Sequence, residues 1–371
     1  VLRSDEAVTT LAAVWGRGRG ARRRPPLSLQ EALVATMLLE HSLRPLAVRL
    51  EPADLNHTVA NGLAALVGVV AKWEDGTPLL MSEHGVYLRE RYLAYRGSSL
   101  GPGARAVLLG FFRRLTTLGY REAAFIAPVT DYNRRWEIRA GADPASIVTV
   151  HNGVDPEVFG ELLTEPAEPV LTWVGRIDPL KDVETLLHAF ALVRGAVPGA
   201  RLRMFGPVPK GNEGYAARCA ALADELGITS TATFEGPVAS SRDAFAAGQV
   251  VLLSSISEGL PYTVIEAMMC RRPTVSTDVG GVAECVADAG VVVPPRDPAA
   301  FAAACVELLQ DAAFRSMLSS SARDRALELF TLDRCTGTYR MLYEATAATR
   351  TWSVPTRSRH AHATGGVGVP A

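Results

Sequence analysis

The chain has 371 residues, 48% hydrophobic and 21% charged. This is too long for one typical core and about right for two, and it excludes disordered and fibrous classes. Its 38 basic residues nearly cancel its 39 acidic ones, so no global field draws it toward nucleic acid or an anionic membrane.

Lysine is scarce: Lys72, Lys181 and Lys210 stand among basic residues that are otherwise all arginine, so a lysine in a suggestive place carries information. Five cysteines, Cys219, Cys270, Cys285, Cys305 and Cys335, form no C-x-x-C pair. They fit a reducing cytoplasm with unpaired thiols and speak against a disulfide framework or a structural zinc.

Near the amino terminus an arginine cluster, Arg17 to Arg24, is followed by no apolar run with a small-residue cleavage site, so it reads as a solvated loop and not as a targeting signal. Without interleaved aromatic residues it does not read as a nucleic-acid patch either. No run approaches the roughly 18 to 20 apolar residues of a spanning helix. The expected location is cytoplasmic, with peripheral attachment at the inner face of the membrane left open.

From about residue 44, short apolar runs alternate with amphipathic stretches. Leu79 to Met81 ends at Ser82-Glu83-His84-Gly85, Ala124 to Val129 ends at Thr130-Asp131, and Ile147 to Val150 runs into His151-Asn152-Gly153, with a helical segment from Ala104 to Leu118 between them. This pattern predicts β/α units around a parallel sheet. The second half repeats it with strands at Val170 to Val174, Arg201 to Phe205, Ala232 to Phe234, Val250 to Ser254, Thr274 to Ser276 and Val291 to Val293. Helices start at Asp182 and run through Tyr215 to Leu226, Arg242 to Ala247 and Pro261 to Cys270. The fold class is α/β, with two doubly wound Rossmann-like domains. The expected division is 1–151 for the first domain, 152–169 for a linker rich in Pro, Glu and Gly, and 170–336 for the second. A carboxy-terminal helix is expected at 337–352 and a disordered tail at 353–371.

The usual devices are missing: there is no G-x-x-x-x-G-K-[ST] loop, H-E-x-x-H helix, G-x-S-x-G elbow or D-x-D pair. Three strand-end signals remain. Gly175 to Asp182 follows a buried strand, and its Arg176 and Lys181 can converge on a pyrophosphate; a solvated basic turn is the plain alternative. In Glu258 to Glu266, Gly259 allows close backbone approach, and Pro261 suits a first helical position. Free amides at that helix start attract phosphate, while Glu258 and Glu266 can reach opposite ends of a phosphate-centred ligand. Thr277 to Val282 adds a glycine turn that by itself signals little.

Together these segments resemble the retaining glycosyltransferases of family 4, with the GT-B architecture of two facing Rossmann-like domains. The resemblance runs from about residue 54 to 347 through His151 to Asp155 (HNGVD), Val174 to Asp182 (VGRIDPLKD), the pair Glu258 and Glu266, and Ser276 to Val286 (STDVGGVAECV). It implies that Arg176 and Lys181 neutralise a nucleotide diphosphate in place of a metal. It also implies that Gly259, Leu260, Pro261 and Tyr262 line the donor, Glu266 holds the ribose, and Glu258 contacts the donor sugar. Asp54 to Thr58 and Leu80 to Arg91 are similar to the PelF branch, associated with UDP-glucose-dependent synthesis of Pel-type exopolysaccharide. In that likeness His84 faces the donor hexose from the first domain. Arg89 and Arg91 either orient the acceptor, with Glu83 beside them, or pair with Glu90 and Glu83. PelF-like chains open with a strand and a glycine-rich turn, and no candidate for it precedes residue 54, so the first domain is expected to be truncated.

The resemblance therefore implies a metal-independent hexosyltransferase. It would need no cofactor beyond the UDP-sugar donor, act on a glycan acceptor, and stand in reach of a membrane-associated polysaccharide synthase complex. Two other classes stay open: a UDP-sugar epimerase or phosphorylase in a similar cleft, and a truncated paralogue that binds nucleotide sugar or a partner without catalysis.

Overall fold

The computed structural model describes residues 4–17 and 25–350. The arginine cluster beyond Arg17 and the tail expected at 353–371 lie outside the described residues.

Two helices precede the region where the apolar pattern becomes legible, α1 (Asp5–Arg17) and α2 (Leu29–Ser42). α2 starts with a capping box in which Ser28 accepts from the Glu31 amide and the Glu31 carboxylate accepts from the Ser28 amide. Then follow β1 (Asn56–Thr58), α3 (Leu63–Asp75), β2 (Leu79–Glu83), α4 (Tyr87–Arg96), α5 (Pro102–Glu122), β3 (Phe125–Pro128) and α6 (Asp131–Arg139). The strands form a parallel sheet in the order β1-β2-β3. Every residue of β2 is buried, as a parallel strand covered on both faces requires. The apolar run Ile147 to Val150 joins this sheet only at its edge, through one bridge to Ile126 and the Val148 and Val150 amides donating to Ile126 and Pro128.

The second unit comprises β4 (Val170–Val174), α7 (Val183–Ala196), β5 (Arg201–Phe205), α8 (Glu213–Glu225), β6 (Ala232–Gly236), α9 (Ser241–Ala246), β7 (Val250–Leu253), α10 (Tyr262–Met269), β8 (Thr274–Thr277), α11 (Val282–Val286) and β9 (Val291–Val293). Helices α12 (Pro298–Gln310), α13 (Ala312–Leu329) and α14 (Leu332–Ala348) complete the described chain. The six parallel strands run β6-β5-β4-β7-β8-β9. The order reverses between β4 and β7, and such a switch point opens a crevice at the carboxyl ends of the strands. Trp173, Leu186, Phe190, Met204 and Phe301 pack one core around β4 and α7. All five cysteines are free, four of them buried.

The connection expected as a linker at 152–169 is held down along its length. The Val154 amide donates to Phe330, the Leu162 amide to Cys270, and the Gln249 side chain to Pro166. Arg272, 1% exposed, donates to the carbonyls of Phe245, Gly248, Leu162 and Thr164. Pro, Glu and Gly content signals irregular backbone, but buried carbonyls still need donors, and Arg272 supplies them. The last helix begins at Leu332, earlier than the expected 337, and returns to the first sheet. There Tyr339 meets Ser82, Tyr343 meets His57, and Leu342 packs with Leu80, Ala127 and Val150. The chain thus crosses between the units twice, and the two crossings pair at Val154 and Thr331. Among the described residues no helix is long and apolar enough to cross a membrane.

Removing the Arg272 guanidinium orphans several buried carbonyls, each bonded by a charged donor, so Arg272→Met is expected to cost about 3 kcal/mol or more. A urea midpoint within error of wild type would contradict this account of the connection.

Candidate active site at the meeting of the two sheets

The loops after β4 and β7 carry the charged motifs, and both leave the sheet at the switch point. After β4, Asp178 accepts from the Leu180 amide and from Asn212, and Asp182 caps α7 by accepting from the Thr185 amide. The loop is therefore held in shape before any ligand binds. Its neighbour is sewn to it: the Ile256 amide donates to Leu180 and the Ser254 hydroxyl to the Lys181 carbonyl at 2.6 Å. Lys181 Nζ then reaches Glu258 Oε1 at 2.6 Å, with both side chains mostly buried. Arg176 is exposed and makes no ion pair with the described residues.

α10 begins at Tyr262 with Pro261 as its cap, one position earlier in role than the sequence suggests. The Val264 and Ile265 amides donate to Pro261, whereas those of Gly259, Leu260 and Tyr262 meet no acceptor among the described residues. A helix start with free amides carries partial positive charge. One turn on, Glu266 is half-buried and accepts from the Ser241 hydroxyl at 2.9 Å. Burial pushes its carboxyl up from the ordinary range, and the Ser241 hydrogen bond pulls it part of the way back.

The first unit meets these loops through backbone. A Cβ at Gly259 would overlap the carbonyl oxygen of His84, and one at Gly281 would overlap Thr130. His84, the residue after β2, thus sets its carbonyl against the loop that holds Glu258, and it is exposed. Asn133 donates to the His84 carbonyl, Asn152 to the Leu260 carbonyl, and Arg89 to Ser257 Oγ at 3.3 Å. The strongest tie is Glu284 of α11, whose two carboxylate oxygens accept from the Asp131 and Tyr132 amides at 2.9 and 3.0 Å. One unit's acidic side chain thus caps the other unit's α6. Between them a cavity of about 620 Å³ is lined by Arg89, Tyr132, Arg135, Asp278 and Glu284 among others.

The structure brings Arg176, Lys181, Glu258, Gly259, Leu260, Pro261, Tyr262 and Glu266 to one strand edge and sets His84 and Arg89 against it. It does not bring Glu83 or Arg91 there. Glu83 is 1% exposed; its carboxyl accepts from Tyr120 Oη and the Tyr87 amide, so it faces the interior of the first unit. Glu83 is the last residue of β2, a strand buried on both faces, whereas His84 lies past the strand's end. Arg91 lies over the rings of Tyr87 and Phe112, 5.1 and 6.0 Å from their centroids, and pairs with neither Glu83 nor Glu90. Ser257, Asn152 and Glu284 were not singled out from sequence. Glu284 lies inside the STDVGGVAECV segment, but nothing local marks a carboxylate that caps a helix in the other unit. Glu137, fully buried beside Glu83, is likewise invisible without the fold. Burial pushes both carboxyls up from 4.5, Glu83 to about 7 and Glu137 to about 9; Glu83 adds to the rise at Glu137, while the hydrogen bond between them holds Glu83 lower.

Two family models match the chain: one described as "Glycosyl transferases group 1" over residues 168–311, and one described as "Domain of unknown function (DUF3492)" over 3–145. The chain is 30% identical over 328 residues to a D-inositol 3-phosphate glycosyltransferase of Thermomonospora curvata, covering 81% of this chain and 74% of that protein. It is 31% identical over 268 residues to D-inositol 3-phosphate glycosyltransferase 2 of Catenulispora acidiphila, covering 67% of this chain and 60% of that protein. It spans only half to three fifths of the length of several such relatives. Among solved structures, Anabaena HepE in complex with UDP-glucose superposes with a TM-score of 0.66 at 20% identity, over 86% of this chain and 84% of that one. That likeness carries the fold, two facing Rossmann-like units in the GT-B arrangement.

Glu284→Ala removes the acceptor for two α6 amides. Losing a helix cap costs about 1 kcal/mol, so hydrogen exchange at Asp131 and Tyr132 is expected to accelerate about fivefold, with amides in β7 unchanged. Equal exchange in both proteins would show that Glu284 does not hold the units together. Glu83 and Glu137 have folded values above the unfolded one, so their contribution to stability is full below about 4.5 and lost as pH rises through about 7 and about 9. The urea midpoint should therefore fall from about pH 5 to about pH 9, and Glu137→Gln should flatten that slope; an unchanged slope would refute the pairing.

Proposed function

Because the chain belongs to the group 1 glycosyltransferases, we propose that it transfers a hexose from UDP-glucose to a glycan acceptor with retention of configuration, as a family 4 enzyme of the PelF-like branch. The observation that carries this reading is the joint between the units. Lys181, Glu258 and the unpaired amides from Gly259 to Tyr262 converge beneath His84, which comes from the opposite sheet. A nucleotide diphosphate needs positive charge, and a reacting sugar needs walls on two sides; the joint offers both.

In this reading the diphosphate takes the place of Glu258 as the partner of Lys181. Arg176 swings onto the same phosphates, its planar fork matching two oxygens. The amides at the start of α10 add fixed dipoles that need no reorganisation as charge grows on the leaving group. Glu266 accepts from the ribose hydroxyls. Glu258, released from Lys181, accepts from hydroxyls of the hexose, and His84 closes the other face. The acceptor hydroxyl forms its bond to C1 on the side where the C1–O bond to phosphate breaks. Its proton passes to the departing UDP oxygen, so no protein base is required. Motif likeness to the PelF branch supports an exopolysaccharide acceptor and a place near a membrane-bound synthase. The UDP-glucose complex of HepE is that protein's own, and supports the donor here only through the shared fold.

Lys181→Ala is expected to lower turnover of UDP-glucose by at least about a hundredfold, the usual effect of losing one donor of this kind. Near-wild-type turnover would sink the assignment. Glu266→Gln should weaken UDP binding in calorimetry while leaving the Lys181 effect intact. Binding of UDP by wild type with neither hydrolysis nor transfer would instead identify a nucleotide-sugar-binding paralogue.

A further inference from the structure

The exposed stripe of α5 is arginine, and nothing in the proposed transfer uses it. Arg113, Arg114 and Arg121 fall within about 100° of one another on a helix about 30 Å long, and Arg105 lies about 80° from Arg113, on the side that meets α4. Arg96 of α4 and Arg139 of α6 extend the face on either side. Arg105 is half-buried and the other five are exposed. Among the described residues none of the six is in an ion pair. The nearest carboxylate on the helix, Glu122, is taken up by Lys72 at 3.1 Å, and Glu137 of α6 is buried. Uncompensated like charge destabilises the compact state unless something anionic meets it.

The shape narrows the partner. The arginines line grooves of about 840, 370 and 480 Å³, and the grooves share Arg113 and Tyr92. The middle groove ends at Arg89, which also lines the cavity between the units. A bilayer calls for a broad projecting apolar surface, whereas here the exposed Tyr92 and Leu93 line a groove and the arginines sit in furrows. A nucleic acid calls for a series of free aromatic faces, whereas Tyr132 and Trp136 are covered by Arg135 and Arg139 at 4.0 and 5.1 Å, which leaves Tyr92 as the exposed ring in the grooves. A thin, flexible, hydroxyl-rich chain that carries carboxylate or phosphate groups fits a furrow of arginine forks.

We propose that the α4–α5–α6 face is a binding track for a polyanionic glycan, whose end enters the cleft at Arg89. That this glycan is the acceptor rests on the proposed glycosyl transfer; that it binds here does not.

The test uses the full chain and a fluorescent oligogalacturonate, with a maltooligosaccharide of equal length as the neutral control. Wild type should bind the oligogalacturonate, more weakly as salt rises, and the neutral chain should not compete. The triple variant Arg113→Ala, Arg114→Ala, Arg121→Ala should bind it at least about tenfold more weakly, with UDP affinity unchanged. Because those side chains are exposed, folding should survive. The double variant Arg96→Ala, Arg105→Ala gives an independent reading from the far end of the track and should weaken binding as well. Undetectable oligogalacturonate binding by wild type, equal binding by both variants, or equal competition by the maltooligosaccharide would overturn the proposal. So would loss, in the triple variant, of sedimentation with vesicles of phosphatidylglycerol in phosphatidylcholine while oligogalacturonate binding persists, or preference for a DNA oligomer over the glycan. Failure of wild type to bind UDP would overturn the donor-site reading instead, and would leave the track's own test unaffected.

Discussion

At Gly259 the loop after β7 lies against the carbonyl oxygen of His84 with no room for a side chain, and in the loop after β8 Gly281 lies as closely against Thr130. Much of the joint between the units depends on that approach. It allows Arg89 to reach Ser257 and Glu284 to reach the first amides of α6. Any side chain at either glycine must push the two sheets apart by a distance comparable to the hydrogen bonds that hold them, since contacts of this kind weaken steeply beyond about 3.5 Å.

A second constraint is electrostatic. Strands β4 and β7 are neighbours in the sheet though separated by three helices and two strands in sequence. Their loops therefore place a lysine and a glutamate in contact at the switch point, mostly removed from water. Neither charge could be left alone there, because an unpaired buried ion is costly. The pair stabilises the loop, each charge compensating the other. The free amides at the start of α10 follow from the same turn, since Gly259 and Pro261 admit the chain to the helix without supplying a capping side chain.

Much of this was legible without coordinates. Strands apolar on both faces, such as Val170 to Val174, announce a parallel sheet, and the predicted second-unit strands occur within a residue or two of their expected ends. Arg176, Lys181, Glu258 and Glu266 stand out in the sequence because each sits in a short motif at a strand end, and the fold brings those strand ends to one edge of the sheet. Glu83 adjoins His84 in sequence, but it closes a strand buried on both faces whereas His84 lies in the exposed turn beyond it. The stretch 152–169 read as a free linker because its composition reports local irregularity and says nothing of Arg272, more than a hundred residues later, which binds its carbonyls. The capping box of α2 was present in the sequence as Ser28 and Glu31, but gave no hint of where the helix would pack.

Sequence by itself determined the period of each element, the chemistry available at each turn, and the rarity of lysine that makes Lys181 conspicuous, because these depend on contacts within a few residues. Tertiary structure alone decided which carboxylate meets a lysine at the cleft and which is buried beside another, as with Glu258 and Glu83. It also decided that Glu284 caps a helix of the other unit, that α14 returns to the first sheet, and that arginines of α4, α5 and α6 line adjoining grooves. Each of these depends on burial and on distances between residues far apart in the chain, and a linear pattern does not encode them.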